Sequence, residues 1–378
     1  MLIKVYNMER ECILYVKDYK DLKRESALKM GIRSITFLCS VQEGEKIKNE
    51  YYLEAAGDEY VVKENAWSGN GYRKIAAELN LEDIKGNPHI EFKTQDGGVQ
   101  AKDCADAALK GTGWVCISEI GEDKRRLSLS NVTSYEIFEA ICDAYTCEIT
   151  WDTIGKVVYL KEAVGKDKGA YFTTGINLRE LNDNNESYDY FTRIIPIGAD
   201  SLGIAGVNNG VPYLENYSYS NKIKTLIWED TNYADAEALK KDAEYKLNEL
   251  SKPKKTFSVK ITDLASMKPD YGFLRYHIGD TVLLVDSATG TYDKQRIVKM
   301  TEYPDDPQKN TCELSNTVLS FEEMQKKLFA AKKAIDNVTN GNIVIGGKVQ
   351  GLKANQIEGL EIYYTEALSN TKIEDICK

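Results

Sequence analysis

Histidine and cysteine are the residues of this chain whose chemistry could support acid–base or nucleophilic catalysis. The 378 residues include two histidines, His89 and His277, and eight cysteines. A hydrolase that uses an activated nucleophile needs a base within hydrogen-bonding reach, and histidine is the usual base. His277 stands one residue before the turn Ile278-Gly279-Asp280, and His89 follows Pro88 at the start of a strand. We therefore expect surface or packing roles for both histidines.

The cysteines do not show the paired short spacing of zinc sites. Cys142 and Cys147 are five residues apart, and the sequence contains no Gly-x-Ser-x-Gly elbow. Gly69-Asn70-Gly71 lacks the third glycine of a nucleotide-binding loop. We predict reduced core cysteines and no catalytic, cofactor-binding or metal-binding residues. The cysteines lie at positions 12, 39, 104, 116, 142, 147, 312 and 377.

One enzymatic alternative stays open at this stage. A peptidoglycan hydrolase could build its site from scattered acids, and a peptidase could use Cys104 or Cys142. Carboxylate pairs such as Asp305-Asp306 are plentiful among 59 acidic residues, so their number cannot single out a catalytic dyad. A third class, a module that binds carbohydrate on a host surface, is also open.

Charge and hydropathy argue against a nucleic-acid-binding protein and against a membrane-spanning protein. The net charge of −10 and the pI near 5.1 argue against a protein that grips nucleic acid through its phosphates. An acidic surface either serves solubility or lines a conduit along which DNA passes without sticking. The apolar runs are shorter than the roughly 20 residues of a membrane span, and residues 1–10 alternate like a strand, unlike a signal peptide. We expect a soluble, multi-domain protein made in the cytoplasm.

Residues 1–97 read as the first β domain. Short alternating segments such as Ser34–Cys39 and Glu59–Lys63 predict the strands of a small barrel or sandwich. We expect one helical exception, from Tyr72 to Leu81.

Residues 98–190 read as an α+β domain. The spacing of apolar residues from Ala101 to Leu109 predicts one helix. Thr133 and Glu136 form a capping box that predicts a second helix, and Asp152–Gly155 predicts the loop of a β-hairpin.

Residues 191–320 read as a second β-barrel with a helical insertion near 226–262. The insertion centres on a helix from about Ala234 to Leu250, which Pro253 ends. Strands resume at Thr256–Ile261, Thr281–Val285 and Thr311–Leu314. The fold class is therefore α+β, mainly β.

Residues 321–378 carry a helix with coiled-coil spacing. Ser320 and Glu323 form a capping box, and the apolar residues that follow are spaced 3, 4, 3, 4 and 3 apart. The seam is under three heptads, so it would add to an existing oligomer or pack on its own barrel. The remainder starts a fibre or forms a flexible tail. The oligomer-interface candidates are Phe321, Met324, Leu328, Ala331, Ile335 and Val338.

Three pieces of sequence, in order, resemble a known family. They are Ile195-Pro-Ile-Gly-Ala-Asp200, Glu215-Asn-Tyr-Ser-Tyr-Ser-Asn221 and Ile278-Gly-Asp-Thr-Val282, within a region from about Ala101 to about Asn316. This set resembles the hub region of phage and prophage minor tail proteins, the tail-associated lysin or prophage endopeptidase tail family.

The resemblance implies a function in assembly. It implies a homotrimeric tail-tip or baseplate hub in the virion, in which each chain supplies two related β-barrels and three chains make six similar units. Such a ring would meet both a sixfold tail tube and a threefold central fibre. The implied partners are a distal tail protein, the tape-measure protein and receptor-binding proteins or a fibre, while phage DNA passes through without specific binding. In longer relatives a lytic module follows the hub, and the chain reaches Lys378 soon after the predicted coiled coil. We therefore expect no enzymatic activity.

Overall fold

A computed structural model of the chain describes residues 1–95, 97–186, 190–252 and 254–316, together with 339–340 and 343–344. Side chains are not described at 183–186, 254, 339–340 and 343–344. The chain is α+β and mainly β, as predicted.

The N-terminal strands form the first half of a large sheet. All neighbours in this half are antiparallel, in the order β2-β1-β5-β6-β7-β4-β3. Two one-turn helices, α1 (Val41–Gly44) and α2 (Glu82–Lys85), flank it. The strands are β1 (Ile3–Tyr6), β2 (Cys12–Val16), β3 (Tyr19–Ala27), β4 (Arg33–Ser40), β5 (Tyr52–Ala55), β6 (Asp58–Gly69) and β7 (Tyr72–Leu79).

The helix predicted from Tyr72 to Leu81 is wrong, because this segment is strand β7. Its buried residues Ile75, Ala77 and Leu79 alternate with more exposed ones, which is the period of a strand. The Ala, Glu and Leu residues of this segment favour a helix, but pairing with β4 on one side and β6 on the other stabilises the strand instead. The turn before it, Asn70-Gly71, has positive φ at both residues, which is typical of a tight β-hairpin.

The middle of the chain contains the predicted α+β elements. The helix near Ala101, the capping box at Thr133 and the hairpin around Asp152–Gly155 are confirmed. Trp151 donates from Nε1 to the carbonyl of Met30 at 2.7 Å, which ties this part to the first half of the sheet. The elements are β8 (Pro88–Lys93), β9 (Val99–Gln100), α3 (Ala101–Ala108), β10 (Val115–Ser118), β11 (Lys124–Arg125), β12 (Ser128–Thr133), α4 (Ser134–Ala144), β13 (Glu148–Asp152) and β14 (Val157–Lys161).

Two further strands and a small α/β unit follow. The strands β15 (Asp167–Thr173) and β16 (Leu178–Glu186) join the large sheet, ahead of the boundary predicted at 190/191. The α/β unit pairs β17 (Arg193–Ile197) with β18 (Leu214–Glu215) and β19 (Thr225–Glu229). Its helix α5 (Ala236–Leu250) matches the predicted helix and buries the predicted face of Leu239, Ala243, Leu247 and Leu250.

The second half of the sheet is completed by the strands after α5. These are β20 (Lys254–Ile261), β21 (Thr281–Asp286), β22 (Thr291–Glu302) and β23 (Thr311–Ser315), with the short helix α6 (Leu264–Met267) between β20 and β21. Short 3-10 turns lie at Lys29–Gly31, Ala199–Ser201, Ala205–Val207, Pro269–Leu274 and Pro307–Lys309. The order is β15-β21-β22-β23-β20-β16.

The two halves of the sheet have the same strand order. Reading β1, β5, β6, β7, β4 and β3 across the first half corresponds, one for one, to β15, β21, β22, β23, β20 and β16 across the second. Corresponding neighbours run in the same relative direction, except that β1 and β5 are antiparallel whereas β15 and β21 are parallel. The halves join where β22 pairs with β3.

Two hydrophobic cores match this layout. One runs through the first half of the sheet and the α+β elements, from Ile3 to Leu160, and the other fills the second half, from Ala170 to Leu314. In the C-terminal segment, β24 (Thr339–Asn340) pairs antiparallel with β25 (Ile343–Val344). Among the described residues, no helix has the length and apolar character needed to cross a bilayer.

Candidate functional site: buried polar groups and an assembly surface

Among the described cysteines, five are buried as predicted and Cys142 is half-buried, but Cys12 is exposed on an edge strand, so its predicted core position is wrong. The two candidate nucleophiles, Cys104 and Cys142, are protonated thiols. Burial raises the pKa of Cys104 to about 11, and its Sγ lies 3.4 Å from the hydroxyl of Tyr145. A hydrogen bond with Cys147, together with desolvation, holds the pKa of Cys142 well above its ordinary value. Because the thiolate is the nucleophile, neither environment favours the peptidase alternative.

His89 and Ser134 form a contact that resembles a catalytic pair but has the wrong proton arrangement. His89 Nε2 lies 3.0 Å from Ser134 Oγ. The single hydroxyl proton of Ser134 is donated to the carbonyl of Ala108 at 2.6 Å, and Asn87 Nδ2 donates to Ser134 Oγ at 2.9 Å. Whichever tautomer His89 adopts, the serine proton does not point at it, so the cluster fixes the start of α4 and does not activate a nucleophile.

His277 belongs to a second polar cluster, which holds two strands together. The buried carboxylate of Asp280 accepts from the backbone N–H of Lys166 at 2.8 Å and of His277 at 2.9 Å. Gly279 has φ +84°, and a Cβ there would lie 2.3 Å from the carbonyl oxygen of Val164. Only glycine fits at position 279, where the two backbone segments touch. The aspartate at 280 accepts hydrogen bonds from backbone N–H groups of both segments. These two requirements explain the Ile-Gly-Asp-Thr-Val sequence.

The other acidic residues form no evident ion site. Within the ranges that the structure describes, no group of three or more His, Cys, Asp or Glu side chains is arranged to hold a metal ion. Asp305 and Asp306, the carboxylate pair in the sequence, lie in a turn where Lys309 Nζ pairs with Asp306 at 3.1 Å.

The Ile-Pro-Ile-Gly-Ala-Asp piece forms β17 and the turn after it. A Cβ on Gly198 would lie 2.7 Å from the carbonyl oxygen of Tyr233, which accepts from the backbone N–H of Ala199 at 2.8 Å. The small residues at 198 and 199 thus let β17 approach the segment that leads into α5.

The Glu-Asn-Tyr-Ser-Tyr-Ser-Asn piece lies on the surface of the α/β unit. Glu215 accepts from Arg193 Nε at 2.9 Å and from the Tyr217 hydroxyl at 2.6 Å. Tyr219 packs edge-on against Tyr190 with 5.4 Å between ring centroids. Tyr217 and Tyr219 remain exposed, and their use as an interface stays a prediction.

A buried ion pair fastens the α/β unit to the middle of the chain. Arg125, on β11, donates to Asp242, on α5, at 2.7 Å, and the Tyr233 hydroxyl donates to the same carboxylate oxygen at 2.7 Å. The Arg125 guanidinium also lies 4.7 Å from the centre of the Tyr233 ring. Arg125 is 2% exposed, so the carboxylate of Asp242 neutralises a charge removed from water.

The candidate assembly surface is made of sheet edges. One edge of β22 pairs with β21 as far as Arg296. Further along the same edge, Lys299–Glu302 pairs with Arg24–Ala27 of β3, which forms the junction of the two halves.

The corresponding part of β6, Glu64–Gly69, extends past β5, which pairs with Asp58–Val61. Across the described residues, no strand pairs with Glu64–Gly69 on that side. The carbonyl of Asn65 accepts from Arg73 Nη2 at 3.2 Å, and the Asn65 side chain donates to the carbonyl of Gly44 at 2.8 Å. Sequence reasoning missed this edge, although the exposed Trp67 beside a Gly-Asn-Gly turn is a signal for it.

The predicted coiled-coil residues lie in the C-terminal segment of the chain. Their role stays a prediction because Phe321, Met324, Leu328, Ala331, Ile335 and Val338 lie outside the described residues.

Comparison with known proteins shows which family and which fold the chain resembles. Residues 166–325 match the family model described as prophage endopeptidase tail, which confirms the predicted resemblance. The SPbeta prophage-derived uncharacterized protein YomG of Bacillus subtilis (strain 168) is 26% identical over 197 residues, 48% of this chain. The match spans only 22% of that protein.

Two solved structures share the fold over most of the chain. Prophage tail protein gp18 from Listeria monocytogenes EGD-e has a TM-score of 0.64 at 16% identity, covering 88% of this chain and 100% of that one. The 43 kDa tail protein of prophage MuSo2 from Shewanella oneidensis has a TM-score of 0.57 at 15% identity, covering 83% and 98%. The chain thus has the fold of prophage tail proteins.

Proposed function

We propose that this chain is a structural component of a phage or prophage tail tip. Three copies form a hub that joins the tail tube to a central fibre or receptor-binding device and lines the path by which DNA leaves. The family match and the shared fold support a place in the tail. The partners proposed are a distal tail protein, the tape-measure protein and a receptor-binding protein.

The observation that carries the proposal is the repeated strand order. One chain contains two units of six strands arranged in the same sequence, joined edge to edge through β3 and β22. Three such chains present six similar units around an axis, so one ring can meet sixfold and threefold neighbours. We propose that the two units are related β-barrels.

The polar groups of the chain support a role in assembly. Cys104 is buried and Cys142 is half-buried, and the pKa of each thiol is raised. The Ser134 hydroxyl donates its proton to a carbonyl, and the Asp280 carboxylate accepts from two backbone N–H groups and from Lys168 Nζ. Each of these groups stabilises the fold where a hydrolase would need it exposed and reactive. The net charge of −10 suits a conduit that DNA crosses without binding.

Measurement of the particle mass in solution tests the trimer. Light scattering coupled to size exclusion, at high micromolar protein, is expected to give three times the chain mass of 42.6 kDa. A mass that stays at one chain over the whole concentration range would contradict the proposed hub.

A further inference from the structure

The junction inside the chain provides a template for contacts between chains. Lys299, Met300, Thr301 and Glu302 pair antiparallel with Ala27, Ser26, Glu25 and Arg24. The Leu28 N–H also donates to the Val298 carbonyl at 2.9 Å. The alternation of an antiparallel ladder then directs the main-chain groups of Met300 and Glu302 toward β3.

A β-bulge sets the correspondence between β22 and β6. In β22 the register shifts between Ile297 and Lys299, and in β6 it shifts between Val62 and Glu64. The bulge in β22 lies opposite β23, and the bulge in β6 lies opposite β7, so each lies opposite the next strand of the large sheet along the chain. Superposing them maps Lys299–Glu302 onto Glu64–Trp67.

The partner strand maps in the same way. Arg24 of β3 pairs with Ile35, which in turn pairs with Ala77, the residue opposite Val62. Asp183 of β16 pairs with Phe257, which pairs with Leu314, the residue opposite Ile297. Arg24–Ala27 therefore corresponds to Asp183–Glu186.

Among the described residues, no strand pairs with the outer edge of either mapped segment. The strand β16 ends the sheet and pairs along its length with β20, and Trp67 on β6 is 62% exposed. Unpaired strand edges are templates for pairing with another chain. Because the two edges belong to different halves of one sheet, head-to-tail contact between copies would pair them repeatedly around a ring.

We propose that Glu64–Trp67 of one copy pairs antiparallel with Asp183–Glu186 of a second copy, so that Glu64 lies opposite Glu186 and Trp67 opposite Asp183. This pairing rests on the proposed ring and specifies its contact. Lys74 Nζ lies 3.0 Å from the Glu64 carboxylate and offsets the like charge that this register brings near it. The contact reproduces between chains the pairing that β22 and β3 make within one.

Engineered disulfides test the register. Ala66 corresponds to Thr301, so it is predicted to face Asn184 in a pair without mutual hydrogen bonds, where Cα atoms come within disulfide range. Ala66→Cys with Asn184→Cys, in a Cys12→Ser, Cys377→Ser background, is expected to give covalent oligomers up to three chains. Thr301→Cys with Glu25→Cys is the matched control and is expected to give an intrachain bond. Ala66→Cys with Asn185→Cys is shifted by one residue and is expected to cross-link far less.

The outcomes separate this pairing from the hub proposal. Trimers by light scattering without a disulfide between positions 66 and 184, while the control pair closes, would overturn the pairing and leave the hub standing. Monomers by light scattering with no interchain disulfide would overturn both.

A backbone variant gives a second test. The N–H of Trp67 corresponds to that of Glu302 and points to the open edge, where proline is tolerated in a folded chain. Trp67→Pro is expected to keep the circular dichroism spectrum and weaken association about tenfold, the effect of one lost hydrogen bond. Trp67→Val keeps the backbone N–H and is the control for loss of the indole side chain. Equal association constants for Trp67→Pro and Trp67→Val would overturn the pairing.

Discussion

At the scale of single residues, the polar groups of this chain act as fasteners. Gly279 and Asp280 illustrate this, because one permits two backbone segments to touch and the other accepts their N–H groups. The sequence shows the turn but does not show that Val164, more than a hundred residues earlier, is its neighbour. The same holds for Ser134 and His89, whose contact depends on the pairing of β8 with β12.

Asp286 gives a pH-dependent prediction. Hydrogen bonds from Thr174 and Thr289 lower the pKa of its carboxyl from 3.8 to about 2. A carboxyl with a lowered folded-state pKa stabilises the fold above its unfolded pKa, and that contribution is lost as the pH falls through the folded value. Asp286→Asn is expected to lower the melting temperature at pH 7, with the difference from the unaltered chain shrinking between pH 4 and pH 2.

The control for this prediction is Asp305→Asn, a change at an exposed carboxylate in a turn. Calorimetry at several pH values is expected to show little effect of that substitution. A melting-temperature difference for Asp286→Asn that is constant from pH 7 to pH 2 would refute the assigned hydrogen bonds.

At the scale of elements, local signals predicted the helices well and the strand β7 poorly. The capping box at Thr133 and the apolar face of α5 are local patterns, and both are confirmed. The segment Tyr72–Leu79 has helix-forming residues but is held between two strands, so its conformation depends on tertiary pairing. The Asn70-Gly71 turn was the local signal that favours a hairpin.

The attachment of α5 to the middle of the chain can be tested at Asp242. Replacing a partner of a buried ion pair leaves an uncompensated charge, so Asp242→Asn is expected to reduce the free energy of unfolding by about 3–5 kcal/mol. Urea denaturation measures the change. The double variant Arg125→Met, Asp242→Leu is expected to lose less, because no buried charge remains.

The matched control lies one position earlier on the same helix. Lys241 pairs with Asp123 at 2.7 Å on the surface, and both side chains are solvent-accessible. Lys241→Ala is expected to change stability by about 1 kcal/mol or less. Equal effects of Asp242→Asn and Lys241→Ala would show that the Arg125 cluster does not fasten α5.

At the scale of the whole molecule, the sequence predicted a mainly β chain with an α+β portion and a helical insertion. It did not show the shared strand order, because the two halves carry different residues on matching strands. It did not show the β3–β22 junction either, which joins residues about 275 positions apart. The domain boundaries at 97/98, 190/191 and 320/321 stay predictions, and the predicted interface helix lies outside the described residues.

The pairing of β22 with β3 joins the two halves of the sheet. In the proposed ring, the contact between chains repeats the pairing that β22 and β3 make within one chain. Under the proposal, the edges of β6 and β16 each have a partner, which is the other edge on a second copy. Unpaired strand edges are templates for pairing with another chain, and in the described residues no strand covers these two.

Electron microscopy of the purified chain tests the central claim most directly. Class averages viewed along the symmetry axis are expected to show a threefold ring of six similar lobes around an opening. Compact particles without an opening, or rings whose lobes alternate between two unlike shapes, would contradict the account of two equivalent units per chain.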